Sequence, residues 1–469
     1  MLIDFEVENF RSFREQKKLS LVASASKALP NNLIPLPELD LSLVKSAAVY
    51  GSNASGKSNL LAAMSFLSEQ IGTSFQRPLL FEPTPQHFAL DRDSALRPTR
   101  ITTRFLIDRI VYEYRIAFLS GVVSEESLNV YPRGRPQEWF HREKNKYEFN
   151  QTYLKGRKQS LSELTSAHVP FMAVAAALEH PQLAKPGKWI ARNLRNRLEF
   201  LDYQHPFMHP LHIHVHEQTA RKIREDEIFK KWAIAFLRHA DLGIEGVESV
   251  VHKVKRPKSL KRKKEESFDP GGDDKSEDLE EIDDIFFIHS GDRGYKARFG
   301  YRDESIGTLR IFSMLAPLYE VLEYGEVAVV DEFSASLHPM MTRELVRLFH
   351  TPEWNAKGAQ LIFATHDASL LSGSLFRRDQ VWLTEKNASG STDLYSLHDI
   401  KDVRDDDPFD KGYLRGRYGA IPFLGDFDFP PNSMDNEGDG DEAKKSTSEK
   451  QITPARSGKG AKKIDSHRS

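Results

Sequence analysis

Gly51-Ser-Asn-Ala-Ser-Gly-Lys-Ser58 is the stretch whose reading decides the fold of this 469-residue chain. Its spacing is G-x-x-x-x-G-K-[ST]. Ser46-Ala-Ala-Val-Tyr50 ahead of it reads as a short apolar strand, and Asn59 to Gln70 behind it has helical spacing and good helix formers. Gly51 and Gly56 let the backbone curl, so that the N–H groups of Ser52, Asn53, Ala54, Ser55 and Asn59 can converge with theirs on one set of phosphate oxygens. The helix start adds its positive end. Lys57 is expected to set a point charge against the β- and γ-phosphates of ATP, and Ser58 to ligate Mg²⁺.

Working outward, Val327-Ala-Val-Val330 is a continuous apolar run that ends in Asp331-Glu332. An all-apolar strand is what a parallel strand covered on both faces requires, and ligands sit at the carboxyl ends of such strands. Asp331 is expected to hold Mg²⁺ through water, and Glu332 to polarise the attacking water as general base. Gln360-Leu-Ile-Phe-Ala-Thr-His366 is a second apolar strand ending in a polar side chain.

Composition narrows the class. Hydrophobic residues at 39% and charged residues at 29% describe a soluble globular protein rather than a disordered one. A net charge of −2 argues against a chain built as a whole to grip nucleic acid. With no cysteine, disulfides and cysteine-ligated metal sites are excluded. No apolar run approaches the ~20 residues of a membrane span. The chain opens on a strand pattern rather than a signal peptide, so a cytoplasmic location is expected.

The pattern divides the chain into five parts. Residues 1–140 hold the opening strand Met1 to Phe10, a loop around Pro30 to Pro37, the phosphate loop, and antiparallel strands between Thr99 and Tyr131, including Ile101 to Ile107 and Val111 to Phe118. Residues 141–250 turn helical, with helices expected over Val169 to Leu178, Trp189 to Phe200 and Glu225 to Arg238; they read as an insertion too short for a long coiled-coil arm. Residues 251–284 are low in complexity, with a basic cluster from Lys253 to Lys264, then Gly271, Gly272 and a run of acids, and are expected to be a mobile loop open to DNA contact. Residues 285–429 resume with the strand Ile285 to His289, and 430–469 read as a disordered tail. His205, His209, His212, His214 and His216 crowd one segment; the last three would share one face of a strand, and the segment is read as surface or interface rather than a metal site.

Several further segments carry a family resemblance. Asp303-Glu-Ser-Ile-Gly-Thr-Leu-Arg310 resembles the signature segment of ABC-type ATPases, in the E-S-x-G-T variant of bacterial SMC-like proteins. Ser305 and the Gly307 backbone at a helix start would form a second anion site. In the family that site closes on the γ-phosphate held by the opposite subunit. Ser336-Leu-His-Pro339 resembles the family's D-loop, and His366 its switch histidine, which senses the γ-phosphate. Asn9-Phe-Arg-Ser-Phe13 is similar to the opening of SMC, RecF and OLD-type ATPases, which places Arg11 and Ser12 near the adenine or ribose. Gln86 is the candidate for the family's glutamine loop and its Mg²⁺ contact. Lys411-Gly-Tyr-Leu-Arg-Gly-Arg-Tyr-Gly-Ala-Ile-Pro-Phe423 resembles the ending of ATPases of bacterial anti-phage systems of the RloA and AbiL type.

The resemblance implies an ABC-type P-loop fold: a mixed α/β sheet core, an antiparallel β lobe and a helical insertion. It implies ATP and Mg²⁺ as cofactors, and a homodimer or higher homo-oligomer formed through the ATP sites. It also implies a role in phage defence through a separate, nuclease-type effector, because this chain shows no nuclease signature of its own. The alternative is a RecF-like clamp that closes on DNA in repair.

Overall fold

The computed structural model describes residues 1–76, 86–196, 213–240, 243–255 and 279–422, without the side chains of 213–216, 252–255 and 279–283. Strand β1 (Leu2–Glu8) pairs with β2 (Lys17–Ser20) on one side and, on the other, with the first strand of an antiparallel meander. The segment read as a loop contains a small ribbon, β3 (Leu33–Leu36) with β4 (Leu41–Val44), despite its prolines. Pro35 is exposed at the ribbon's rim, where a strand tolerates the missing donor. Then come β5 (Ser46–Gly51) and α1 (Lys57–Thr73), the strand and helix that frame the phosphate loop.

The meander is β6 (Thr99–Ile107), β7 (Ile110–Leu119), β8 (Val122–Tyr131), β9 (Gln137–Glu143) and β10 (Lys146–Phe149). The antiparallel sheet therefore runs β10-β9-β8-β7-β6-β1-β2. It extends to Phe149, past the boundary expected at residue 140. Helices α2 (Lys158–Glu163), α3 (Phe171–Ala177) and α4 (Ala184–Asn193) follow. Helix α4 starts and stops earlier than the Trp189 to Phe200 expectation.

Helix α5 (Ile213–Glu225) overturns the strand reading of the histidine segment. His214 and His216 lie two apart on a helix, about 200° around its axis, so they cannot share a face. His205, His209 and His212 lie outside the described residues. After α6 (Glu227–His239) come the strands β11 (Ile244–Lys255) and β12 (Leu279–Ser290), which absorb both flanks of the segment expected to be a loop. Of that segment, residues 256–278 lie outside the described chain. The valines here, Val247, Val250, Val251 and Val254, sit at spacings of three, one and three, without the period of two that marks a strand, so only their β-branching favours one.

Strand β13 (Lys296–Gly300) completes this second sheet. The remaining elements are α7 (Ile306–Tyr324), β14 (Val327–Val330), α8 (Pro339–His350), β15 (Gln360–Ala364), β16 (Val381–Lys386), β17 (Thr392–Ser396) and α9 (Phe409–Leu414). The central sheet runs β14-β15-β5-β16-β17, parallel except for the edge strand β17. Residues 423–469 lie outside the described chain.

Why the central strands must be apolar throughout is visible in their two faces. Ala47, Val49, Val327, Val329, Ile362 and Ala364 face a core shared with α1, α3, α4 and the antiparallel sheet. Ala48, Tyr50, Ala328, Val330, Leu361 and Phe363 face a second core under α6, α7 and α8. A period of two with both faces buried gives an unbroken apolar run. Pro317 inside α7 removes one helical donor, which leaves the Ser313 carbonyl needing a partner. The Thr219 hydroxyl supplies it at 3.4 Å.

A buried histidine ties the sheet's far end. His350 at the end of α8 lies with Nε2 at 2.9 Å from Ser46 Oγ, and burial pushes its pKa down to about 3. Its ordinary value is about 6.5. The unfolded chain therefore takes up a proton that the folded chain refuses. Stability from this group is complete above pH 6.5 and lost as pH falls toward 3, at up to about 1.4 kcal/mol per pH unit. Denaturant unfolding between pH 7 and 5 should fall more steeply for the wild type than for His350→Gln. Parallel profiles would remove the histidine from the account.

Candidate nucleotide-binding site

The sheet's register builds the site. Ala48 on β5 pairs with Phe363 on β15, which pairs with Val330 on β14. Gly51 at the end of β5 and the polar residues after the other two strands, Asp331 and His366, therefore emerge at one edge. Strand β15 lies between β5 and β14, which separates the phosphate loop from the acids by two strand spacings, about 10 Å. That is room for a phosphate group.

The loop is held tightly from behind. A Cβ on Gly51 would stand 2.4 Å from the Thr384 carbonyl oxygen, and one on Gly56 2.3 Å from Thr392 Oγ1. Gly56 also has φ +117°, so both close approach and backbone angle demand glycine there. Ser55 Oγ lies 2.6 Å from Thr384 Oγ1, and Thr392 Oγ1 donates to the Ser55 carbonyl at 2.7 Å. These two threonines on β16 and β17 escaped the sequence reading; nothing in a Thr-bearing strand marks it as the back wall of a phosphate loop.

Ser12 belongs to the same scaffold. Its hydroxyl accepts from Asn59 Nδ2 and pairs with Thr392 Oγ1, whose own proton goes to Ser55, each at 2.8 Å. It is thus engaged with the loop's rear. Arg11 instead lines a cleft of about 390 Å³ together with Phe10, Ser58, Phe66, Gln86 and Asp331. The Arg11 amide donates to the Gln86 carbonyl at 2.6 Å, which fixes these two residues side by side. So Ser58, Asp331 and Gln86, far apart in sequence, share one cleft. A hydroxyl, a carboxylate and an amide oxygen are hard donors of the kind Mg²⁺ takes.

Lys57 is buried, and its ammonium donates to the Gly51 and Ser52 carbonyls, both at 2.9 Å. Burial lowers its pKa to about 8, against the pull of Asp331 and Glu332. The loop's own carbonyls thus satisfy the charge that phosphate oxygens would take over. His366 is held below the usual histidine value by burial first and by the Lys57 charge second, with Glu332 and Asp331 acting the other way. The Gly51 backbone adjoins its ring.

Glu332 is exposed and has φ +47°, a left-handed angle uncommon for a residue with a side chain. Two bonds hold it so: its N–H donates to Asp331 Oδ1 at 3.0 Å, and its carbonyl accepts from Arg310 Nη2 at 2.7 Å. Arg310 comes from α7 and so links the signature-like helix to the acid. Ser305 caps α7, accepting from the Thr308 N–H at 3.1 Å. A Cβ on Gly307 would lie 3.0 Å from the Ser336 carbonyl oxygen, so the segments Asp303–Arg310 and Ser336–Pro339 are packed against each other.

A strand, a glycine loop pinned at its rear, a buried lysine and a carboxylate two strands away define an α/β P-loop nucleotide-binding protein. The sequence matches the family described as "AAA domain, putative AbiEii toxin, Type IV TA system" over residues 46–168 and 190–372. That is well over half of its length, and the chain belongs to this ATPase family. No curated protein matches it. Among solved structures, a crystal structure of the SmcHead bound to the C-winged helix domain of ScpA is similar at 13% identity and a TM-score of 0.43, over 84% of this chain and 97% of that one. The SMC head domain from Thermotoga maritima is similar at 13% identity and a TM-score of 0.37, over 84% and 98%.

Proposed function

We propose that this protein is an ABC-type ATPase that binds Mg-ATP and hydrolyses it at sites completed by a second copy of itself. The observation that carries the reading is the convergence of Lys57, Ser58, Asp331 and Gln86 on one sheet edge, with His366 and Glu332 beside them. In this reading the loop N–H groups and Lys57 bind the phosphates, Ser58, Asp331 and Gln86 hold Mg²⁺, and Glu332 takes the proton of the attacking water. Mg²⁺ when bound neutralises charge on the β- and γ-phosphates. His366, kept neutral by burial and Lys57, is suited to a hydrogen bond with the γ-phosphate. Arg11 borders the nucleotide from the cleft's far wall.

Ser305 and Gly307 serve the partner's nucleotide. The ATP cycle then closes and opens an oligomer that regulates a separate effector in anti-phage defence, as the likeness to the RloA and AbiL type suggests. The cytoplasm is the expected location; among the described residues no helix is long and apolar enough to cross a membrane.

Ser305→Arg tests the shared site. It places a bulky cation where the partner's phosphate would dock, without touching Lys57 or Ser58. ATP affinity should stay within about twofold while turnover falls at least about a hundredfold, an effect of about 2.7 kcal/mol. Measured turnover equal to wild type would mean that each chain hydrolyses ATP alone. DNA that binds in an ATP-dependent, steeply salt-sensitive way would move the reading to a DNA clamp.

A further inference from the structure

The segment Lys411–Phe423 was singled out in the sequence, yet nothing in the nucleotide reading uses it. Through Ile421 its fold is unusually constrained. Gly416 and Gly419 have φ +73° and +69°, and Ala420 has φ +59°, so the chain turns back on α9. A Cβ on Gly412 would stand 2.2 Å from the Tyr418 hydroxyl, so only glycine lets the two arms close. Tyr413 Oη then donates to the Ala420 carbonyl at 3.2 Å.

This hairpin-like element is anchored at three places, and each leads to the phosphate site. Tyr413 packs edge-on against Tyr50, the residue before Gly51, with ring centres 5.8 Å apart. The Asp410 N–H donates to the Leu371 carbonyl at 3.1 Å, on the loop that follows His366. Tyr395 Oη on β17 donates to the Tyr418 carbonyl at 2.9 Å, and three residues back on that strand Thr392 holds the Ser55 carbonyl. The Gly51 backbone adjoins the Tyr413 hydroxyl as well as the His366 ring.

We propose that Phe409–Ala420 is a brace that couples the start of the phosphate loop to the loop after His366, with Tyr413 as its positioning residue. The inference rests on the nucleotide reading above. Lys57 must give up the Gly51 and Ser52 carbonyls when phosphates enter the loop, so Gly51 sits where the arrangement changes. Tyr413 holds the opposite side of that residue. It binds no phosphate; it sets the aim of Gly51 and, through it, of His366. Its contribution therefore falls on the rate of hydrolysis rather than on affinity.

Tyr413→Phe in the full chain keeps the ring on Tyr50 and removes the hydroxyl. The expected result is a kcat lowered about tenfold, with KM for ATP changed less than twofold. Gly412→Ala, which pries Tyr418 away, should cost at least as much. The readout that a merely structural role would not move is hydrogen exchange of the 409–420 amides in the Glu332→Gln protein. ATP with Mg²⁺ should slow that exchange, and the slowing should shrink when Tyr413→Phe is added. A kcat equal to wild type overturns the brace, and so does exchange in 409–420 that ignores bound ATP. A wild-type protein that binds no ATP overturns the nucleotide reading and the brace with it.

Discussion

Glu332→Gln is expected to lower the ATP turnover number by a factor of about 10² to 10⁴, the range that a positioned general base contributes. Glutamine keeps the length and branching of the side chain and cannot accept the proton. Its backbone would be held as that of Glu332 is, by the Asp331 carboxylate and the Arg310 guanidinium, so the left-handed turn is not disturbed. ATP affinity should therefore be preserved and the ATP-bound closed state should accumulate. Single-turnover kinetics separates the two quantities, and size-exclusion chromatography in Mg-ATP reads the closed assembly. The same protein, tagged and recovered from its host in Mg-ATP, should retain an effector that leaves once hydrolysis is allowed. Turnover within a factor of a few of wild type would show that another group polarises the water.

The parts of this site that the sequence made legible are those whose chemistry is local. Gly51 to Ser58 is a loop conformation written in adjacent residues, and β14 and β15 are apolar because both faces are covered. What could not be read is what the register of separate strands brings together. The resemblance alone offers Gln86 as the Mg²⁺ contact; it reaches the cleft of Asp331 because the chain ahead of β6 returns beside Arg11. Thr384 and Thr392 look like any threonines in strands until β16 pairs with β5. The His214–His216 spacing fits a strand as a pattern and a helix in fact, since two residues are too few to show a period. The Lys253–Asp284 flanks are a related case: their charge suggests a loop, Val247, Val250, Val251 and Val254 show no period of two, and only the pairing of β11 with β12 makes the segment a strand.

Glu126→Ala is expected to destabilise the protein by about 3–5 kcal/mol, the cost of stripping a buried ion pair of one partner. Glu126 and Arg142 are both fully buried, with Arg142 Nη1 at 3.3 Å from Glu126 Oε2. The carboxylate also accepts from Tyr114 Oη at 2.8 Å and from the Phe171 and Met172 N–H groups at 2.7 and 2.8 Å. Those two amides open α3, whose N-cap is Pro170 and offers no side-chain acceptor, so Glu126 from β8 serves as its cap. Arg142 in turn donates to the Val169, Ser166 and Lys144 carbonyls. Alanine would leave a guanidinium, a phenol and two helix N–H groups without their acceptor inside the core. Because a domain's whole stability is about 5–15 kcal/mol, this loss consumes a large share of it. The pair Glu126→Leu with Arg142→Met, which removes both charges, should be far less damaging than Glu126→Ala alone. Denaturant unfolding of the three proteins decides the matter: a Glu126→Ala chain within about 1 kcal/mol of wild type would mean that water, not the protein, had been satisfying Arg142. The expected order follows from the geometry, because the network fastens α3 to the antiparallel lobe, and α3 belongs to the same core as α1, the helix that begins at Lys57.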